Sequence, residues 1–309
     1  MPNENPPPQS IFAEIETVLH ALSLYGAAGL AAFGWAMGWL INLPNAEWLP
    51  LWFCAALLIY NADRLRHDPA DALNVPARTA ASARLRTASI VTVALAALVL
   101  IGLPVWRRDW LTLTLIIGGS IVSLGYSIPI LGFRWKDVPF LKTFFAPAVV
   151  TLAVFYPVLS ALNSAFYLLD AIEGLGLVNG LPSLAAWSFL YLLFNMLLCD
   201  LRDRAGDAQC GIRSIPVVLG EKRSCGLLWM LAVIGQFLLV AVIRTSEAKV
   251  VPLVLLSFFA GGYQAYLLHT TRRPRSERFY EWAVEGLLYL PALACGLAIL
   301  LSRIVRNDV

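Results

Sequence analysis

Long apolar stretches separated by short polar ones fill the chain from residue 21 to residue 302. A helix that crosses a bilayer needs about 20 mostly apolar residues. Nine stretches meet that need: 21–41, 48–66, 87–106, 109–127, 139–161, 183–200, 225–244, 250–269 and 281–302. The second and sixth turn polar at one end. Pro104, Pro147, Pro157 and Pro291 fall inside these stretches, which membrane helices tolerate because neighbouring groups re-satisfy the freed backbone. The pattern predicts an all-α polytopic membrane protein. Its longest connections are about 20 residues, too short for a soluble domain, so residues 21–303 read as a single transmembrane domain. Residues 1–20 open with a proline-rich run and read as a partly disordered tail. With no basic residue ahead of an apolar core, that tail is not expected to be a cleaved signal peptide.

Composition strengthens this reading. Hydrophobic residues make up 59% of the chain and charged residues only 14%, against roughly 25% charged in soluble domains. Lipid is therefore the main solvent. A net charge of +3 gives no reason to expect nucleic acid as a partner. The five cysteines lie far apart, with no C-x-x-C pair and no H-E-x-x-H, which argues against zinc and a disulfide framework. The basic residues are distributed unevenly. If the chain crosses nine times, only Arg107, Arg108, Arg244, Lys249, Arg303 and Arg306, six of the 23 Lys and Arg, fall on one side. By the positive-inside rule the other side, which holds the N-terminus, is cytoplasmic.

Two polar constellations sit at that side. The sixth stretch runs into LLCDLRDRAGDAQCGIRSIPVVLG, where Asp200, Asp203 and Asp207 fall at i, i+3 and i+7 and share a helix face. Stacked carboxylates repel one another unless a cation offsets the charge. Mg²⁺ is such a cation, held by a few carboxylates together with substrate phosphates. Taken alone, the triplet is equally a solvated helix end with local ion pairs. The second stretch ends in LLIYNADRLRHDPADALNVPAR, where Asn61, Asp63, Asp68 and Asp71 offer oxygen ligands at the same depth. Two facing carboxylate clusters suit a diphosphate bound through Mg²⁺, whose charge makes the diphosphate a better leaving group.

On these residues the sequence resembles the UbiA superfamily of intramembrane prenyltransferases, from about residue 20 to 302. The resemblance implies nine transmembrane helices around a central cavity open to the cytoplasmic side, with Asp-rich motifs ending helices two and six. The second motif, D-x-x-D-x-x-x-D followed by a basic, Gly and Pro segment, is complete as Asp200, Asp203, Asp207, Gly211, Arg213, Pro216 and Gly220. The first departs from N-D-x-x-D-x-x-x-D. Counted from Asn61, its three Asp positions hold Ala62, Leu65 and Pro69. The Y-x-x-x-K pair after helix four is also incomplete: Tyr126 is present, but Ile130 stands where the lysine is expected.

The resemblance implies a Mg²⁺-dependent transfer of an isoprenoid chain from a prenyl diphosphate to a lipophilic, usually aromatic, acceptor. It assigns catalysis to Asp200 and Asp203 and metal ligation to Asp200, Asp203 and Asp207; in the irregular first cluster the residues themselves point to Asp63 as the catalytic carboxylate and to Asn61, Asp63 and Asp68 as metal ligands. Diphosphate binding falls to Arg64, Tyr126, Lys136, Lys142, Arg204 and Arg213. The expected setting is the lipid bilayer, the inner or plasma membrane for a bacterial chain, with N-terminus and active site cytoplasmic. A terpene cyclase on the same scaffold is one rival reading. A transporter or scaffold is another, although its polar residues would be expected at mid-membrane.

Overall fold

The structure, a computed structural model, describes residues 11–43, 46–66, 68–127, 134–135, 138–164, 180–245, 249–271 and 273–307. Among the described residues there is no strand. The helices are α1 (Ile11–Ala21), α2 (Leu24–Leu40), α3 (Leu49–Arg64), α4 (Pro69–Asn74), α5 (Pro76–Arg84), α6 (Arg86–Arg107), α7 (Trp110–Ser127) and α8 (Leu141–Ser164). They continue as α9 (Leu181–Gln209), α10 (Ile215–Leu219), α11 (Glu221–Thr245), α12 (Val250–Thr270), α13 (Glu277–Phe279) and α14 (Leu290–Asn307). A π-helical turn at Tyr280–Val284 and a 3₁₀ turn at Leu287–Tyr289 join the last two.

Among the described residues, six segments are long and apolar enough to cross a membrane: Arg86–Arg107, Leu141–Val158, Leu181–Gln209, Glu221–Thr245, Val250–Thr270 and Glu277–Val305. Helices α1 and α2 meet at 61° and make a seventh if they act as one broken span. The remaining two predicted stretches are helical but shorter. Helix α3 has 16 residues, and the apolar part of α7 runs only over Trp110–Ser123. Part of the stretch read as tail, residues 11–20, is helical. The connection after α3 is not open loop either, since it folds into α4 and α5, each with Pro at its first position. Proline suits that position because its missing N–H would have no helical partner there.

Helix α9 is the central post. Trp187, Tyr191, Phe194 and Leu197 on it are buried, and they meet Phe33 and Met37 of α2, Leu228 and Leu239 of α11, and Val284 and Leu287 before α14. Trp187 stacks on Tyr191 at 4.7 Å between ring centres. Around this core, large apolar side chains such as Leu98, Phe237, Phe258 and Leu293 face outward, as lipid-facing surfaces require.

Two close approaches fix α2 and α8. A Cβ on Gly34 would lie 2.6 Å from the Trp52 ring, so glycine lets α3 pack directly against α2. The same tryptophan donates its Nε1–H to the Ala153 carbonyl at 3.1 Å. Pro157 lies four residues after Ala153 and has no N–H to offer that carbonyl. The indole thus supplies the hydrogen bond that proline removes.

Candidate active site

Helix α9 has 29 residues, about 44 Å at 1.5 Å per residue, against a hydrocarbon core of about 30 Å. Its C-terminal third, which carries Asp200, Asp203 and Asp207, therefore reaches the polar rim. All three are buried against protein, at 1%, 9% and 0% exposure. Each faces a basic or hydroxyl side chain. Lys142, at the start of α8, donates to both oxygens of Asp207 at 2.6 and 2.8 Å, and its Nζ lies 3.7 Å from Asp200 Oδ1. The neighbouring Thr143 hydroxyl donates to Asp200 Oδ2. Arg202 grips Asp203 through Nε at 2.7 Å and a terminal nitrogen at 3.1 Å, while its guanidinium lies over the Tyr280 ring.

The first cluster reaches the same place through a different local structure. Asn61, fully buried, donates Nδ2–H to the carbonyls of Leu22 and Leu57, both at 2.9 Å, and its Oδ1 has no hydrogen-bond partner among the described residues. Asp63, half-buried, follows on α3. Asp68 caps α4, accepting the Ala70 N–H at 3.0 Å, as acidic N-caps do, and pairs with Arg134 at 3.3 Å. Helix α4 is docked on α9 by Asn74, whose Oδ1 accepts the Gly206 N–H at 3.0 Å and whose amide lies 3.4 Å from Asp207. A Cβ at Gly206 would come within 2.3 Å of Asn74 Oδ1, so only glycine admits this contact. Asp71, on α4, feels the charges of Asp63, Asp68 and Asp203; burial first, then Asp63, holds its carboxyl above the ordinary carboxylate range. The two clusters therefore share one electrostatic neighbourhood.

Of the residues assigned to diphosphate, Lys142 and Tyr126 are in that neighbourhood. Tyr126 stacks on Phe145 at 4.7 Å, with its phenol in electrostatic range of Asp63, Asp71, Asp200 and Asp207. Arg64 turns toward α1, donating to the carbonyls of His20 and Ala21. It lines a small hollow with Asp68, Asp71 and Arg78. Arg204 lies on the outer face against Glu221 at 3.4 Å. The Arg213 side chain is exposed, and its carbonyl accepts the Phe140 N–H at 3.0 Å. Lys136, Ile130 and His67 lie outside the described residues. Thr143, Asn74 and Arg78 were not singled out from sequence as site residues, and Arg202 was read there as a phosphate partner rather than as the partner of its neighbour Asp203. The roles of the first three depend on which helices dock, and no local motif announces that.

The family model of the UbiA prenyltransferase family matches residues 66–290. The chain belongs to that family. Membership makes it, in general terms, an intramembrane prenyltransferase of the UbiA type. The match includes Asp68, Asp71 and the whole second motif, and begins just after Asn61 and Asp63. No curated protein and no solved structure matches the chain.

The oxygen donors fit a hard cation in kind. The site offers carboxylates, together with two buried oxygens, Asn61 Oδ1 and Asp200 Oδ1, that accept no hydrogen bond among the described residues. No three carboxylates converge tightly enough among those residues to hold an ion by themselves. The further ligands of such an ion would come from substrate phosphate oxygens, the usual mode for Mg²⁺.

Proposed function

We propose that this UbiA-family chain moves an isoprenoid chain from a prenyl diphosphate to a lipophilic acceptor, with Mg²⁺ as the required ion. The observation that carries the reading is the joining of Asp68 and Asp71 on one side, and Asp200, Asp203 and Asp207 on the other, by α4 docked onto α9 through Asn74 and Gly206.

Asp63, Asp68, Asp200 and Asp203, with Asn61, are the residues that would hold the metal, which when bound supplies positive charge to the departing diphosphate. Lys142 and Arg202 already lie among the carboxylates. They offset negative charge while the site is empty and are placed to turn toward phosphate oxygens when the donor arrives. Tyr126 and Phe145 form an aromatic wall beside the cluster. Such a wall shelters a developing allylic cation from water. The basic residues that collect at this rim support a cytoplasmic site, and the helicity of all nine apolar stretches supports a nine-span arrangement around it.

The test is release of diphosphate from geranylgeranyl diphosphate by the full chain in nanodiscs, with and without Mg²⁺. Asp203→Asn and Asp200→Asn are expected to lower release by at least about 100-fold, the scale for removing a group that stabilises transition-state charge. Wild-type release in both variants would overturn the site.

A further inference from the structure

The last membrane segment does not run as a regular helix. It passes through the π-helical turn at Tyr280–Val284 and the 3₁₀ turn at Leu287–Tyr289. Irregular backbone inside a membrane needs its polar groups satisfied by protein. Four side chains from three surrounding helices do this in sequence. Tyr25 Oη approaches the Trp282 carbonyl at 3.4 Å, and Tyr263 Oη donates to Ala283 O at 2.9 Å. Asn195 Nδ2 donates to Val284 O at 2.6 Å, and Tyr191 Oη to Leu287 O at 2.7 Å. The fold commits these donors to one short stretch, and π-helical turns recur at functional sites.

That stretch carries Glu285. Its carboxylate makes no hydrogen bond and no ion pair within 4.0 Å among the described residues, and the residue is half-buried. Arg78, Arg64 and Arg202 lie in electrostatic range without closing on it. Gly26 makes room for it: a Cβ there would stand 3.0 Å from Glu285 Oε2 and 3.8 Å from the Tyr60 ring. On the other side lies Cys199, next to Asp200, with Glu285 among the charges it feels. A carboxylate unpaired within a membrane span is costly to maintain and marks a site where a partner arrives.

Resting on the prenyltransferase reading above, we propose that Glu285 binds the acceptor, accepting a hydrogen bond from an O–H or N–H group on a flat, lipophilic molecule seated between α2, α3 and the irregular stretch. A carboxyl group accepts a hydrogen bond on both oxygens when ionised and on its carbonyl oxygen when protonated, so in either state it can receive a donor that the ligand brings. The Tyr60 ring beside it gives a flat molecule an aromatic surface to lie on. Cys199, the residue before Asp200, and Arg202, the partner of Asp203, both lie in electrostatic range of Glu285, so an acceptor held there sits on the side of the second Asp motif, near the carbon that loses diphosphate.

The test compares 1-naphthol with 1-methoxynaphthalene, which differ in the hydroxyl donor. Binding is measured by equilibrium dialysis against the full chain in nanodiscs, corrected for empty nanodiscs, with Mg²⁺ and the non-hydrolysable geranylgeranyl S-thiodiphosphate present. Wild type is expected to prefer 1-naphthol by about ten-fold or more, the scale of a hydrogen bond to a charged group. Glu285→Leu should abolish the preference, and Glu285→Gln should keep a weaker one, both with thiodiphosphate binding and thermal unfolding unchanged. A preference that survives in Glu285→Leu, an absent preference in wild type, or one lost together with thiodiphosphate binding would each overturn the assignment. Failure of wild type to bind the thiodiphosphate would instead overturn the prenyltransferase reading, whatever the naphthols do.

Discussion

Lys142 lies between two buried carboxylates, and its removal isolates a charge. With Asp207 fully buried and held by this ammonium at 2.6 Å, Lys142→Met leaves a carboxylate without its counter-ion. Breaking one half of a buried pair typically destabilises by about 3–5 kcal/mol, whereas replacing both halves by neutral groups is far milder. Lys142→Met should therefore lower the unfolding temperature sharply, and Lys142→Met with Asp207→Asn should recover most of the loss. Equal losses in the single and double variants would show that the pair is not coupled. Gly206 gives a second residue-scale expectation. Gly206→Ala drives a methyl into Asn74, and overpacking of this kind costs about 1–3 kcal/mol. Adding Asn74→Ala to Gly206→Ala should relieve the clash, as seen in unfolding temperature, without restoring the amide's contact to Asp207.

At the scale of elements, the bend sites of the membrane helices are compensated from neighbouring helices. Trp52 on α3 supplies the hydrogen bond that Pro157 denies Ala153 on α8. Trp52→Phe should then cost about 1 kcal/mol for the lost bond beyond its packing effect, and that increment should vanish in a Pro157→Ala background, where the backbone bonds itself. A double-mutant cycle on unfolding in detergent reads this coupling directly; additive effects would refute it. Elements of this sort show what was legible in the chain. The apolar stretches, their helicity and the complete second Asp motif follow from local spacing, because 20 apolar residues and an i, i+3, i+7 triplet are local facts. The first motif was only partly legible. Its spacing departs from the pattern from Ala62 onward, and the structure shows why a helical count does not carry through to Asp68: the helix ends at Arg64 and restarts at Pro69 with Asp68 as its cap. Asn74 and Thr143 were illegible as partners because their roles arise from helices meeting over separations of 132 and 57 residues. The π-helical turn at Tyr280–Val284 was equally hidden, since its stabilising donors lie on α2, α9 and α12.

For the whole molecule, the two rims differ in kind. Asp68, Asp71, Asp203, Asp207 and their basic partners gather at one end of α3 and α9, where Glu277 also caps α5, accepting the N–H groups of Ala77 and Arg78 at 3.2 Å each. Among the described residues, the Arg107–Glu47 pair and Lys249 over the Trp39 ring mark the opposite ends of the helices. Basic residues favour the cytoplasmic leaflet, so the carboxylate-rich rim should face the cytoplasm. Cys210, exposed at the end of α9, is a built-in reporter of that side, while Cys54 and Cys295 are buried. Among the described residues, three segments long and apolar enough to cross a membrane, α11, α12 and Glu277–Val305, separate Cys210 from the exposed Arg303. If all three cross, the two positions lie on opposite faces. A membrane-impermeant maleimide should then label Cys210 in inside-out vesicles and spare it in right-side-out ones. Arg303→Cys, in a Cys210→Ser background, should show the reverse. Labelling of both positions from one side would contradict an odd number of crossings between them. Labelling of Cys210 from the outer side alone would place the diphosphate site where a cytosolic prenyl diphosphate has no access.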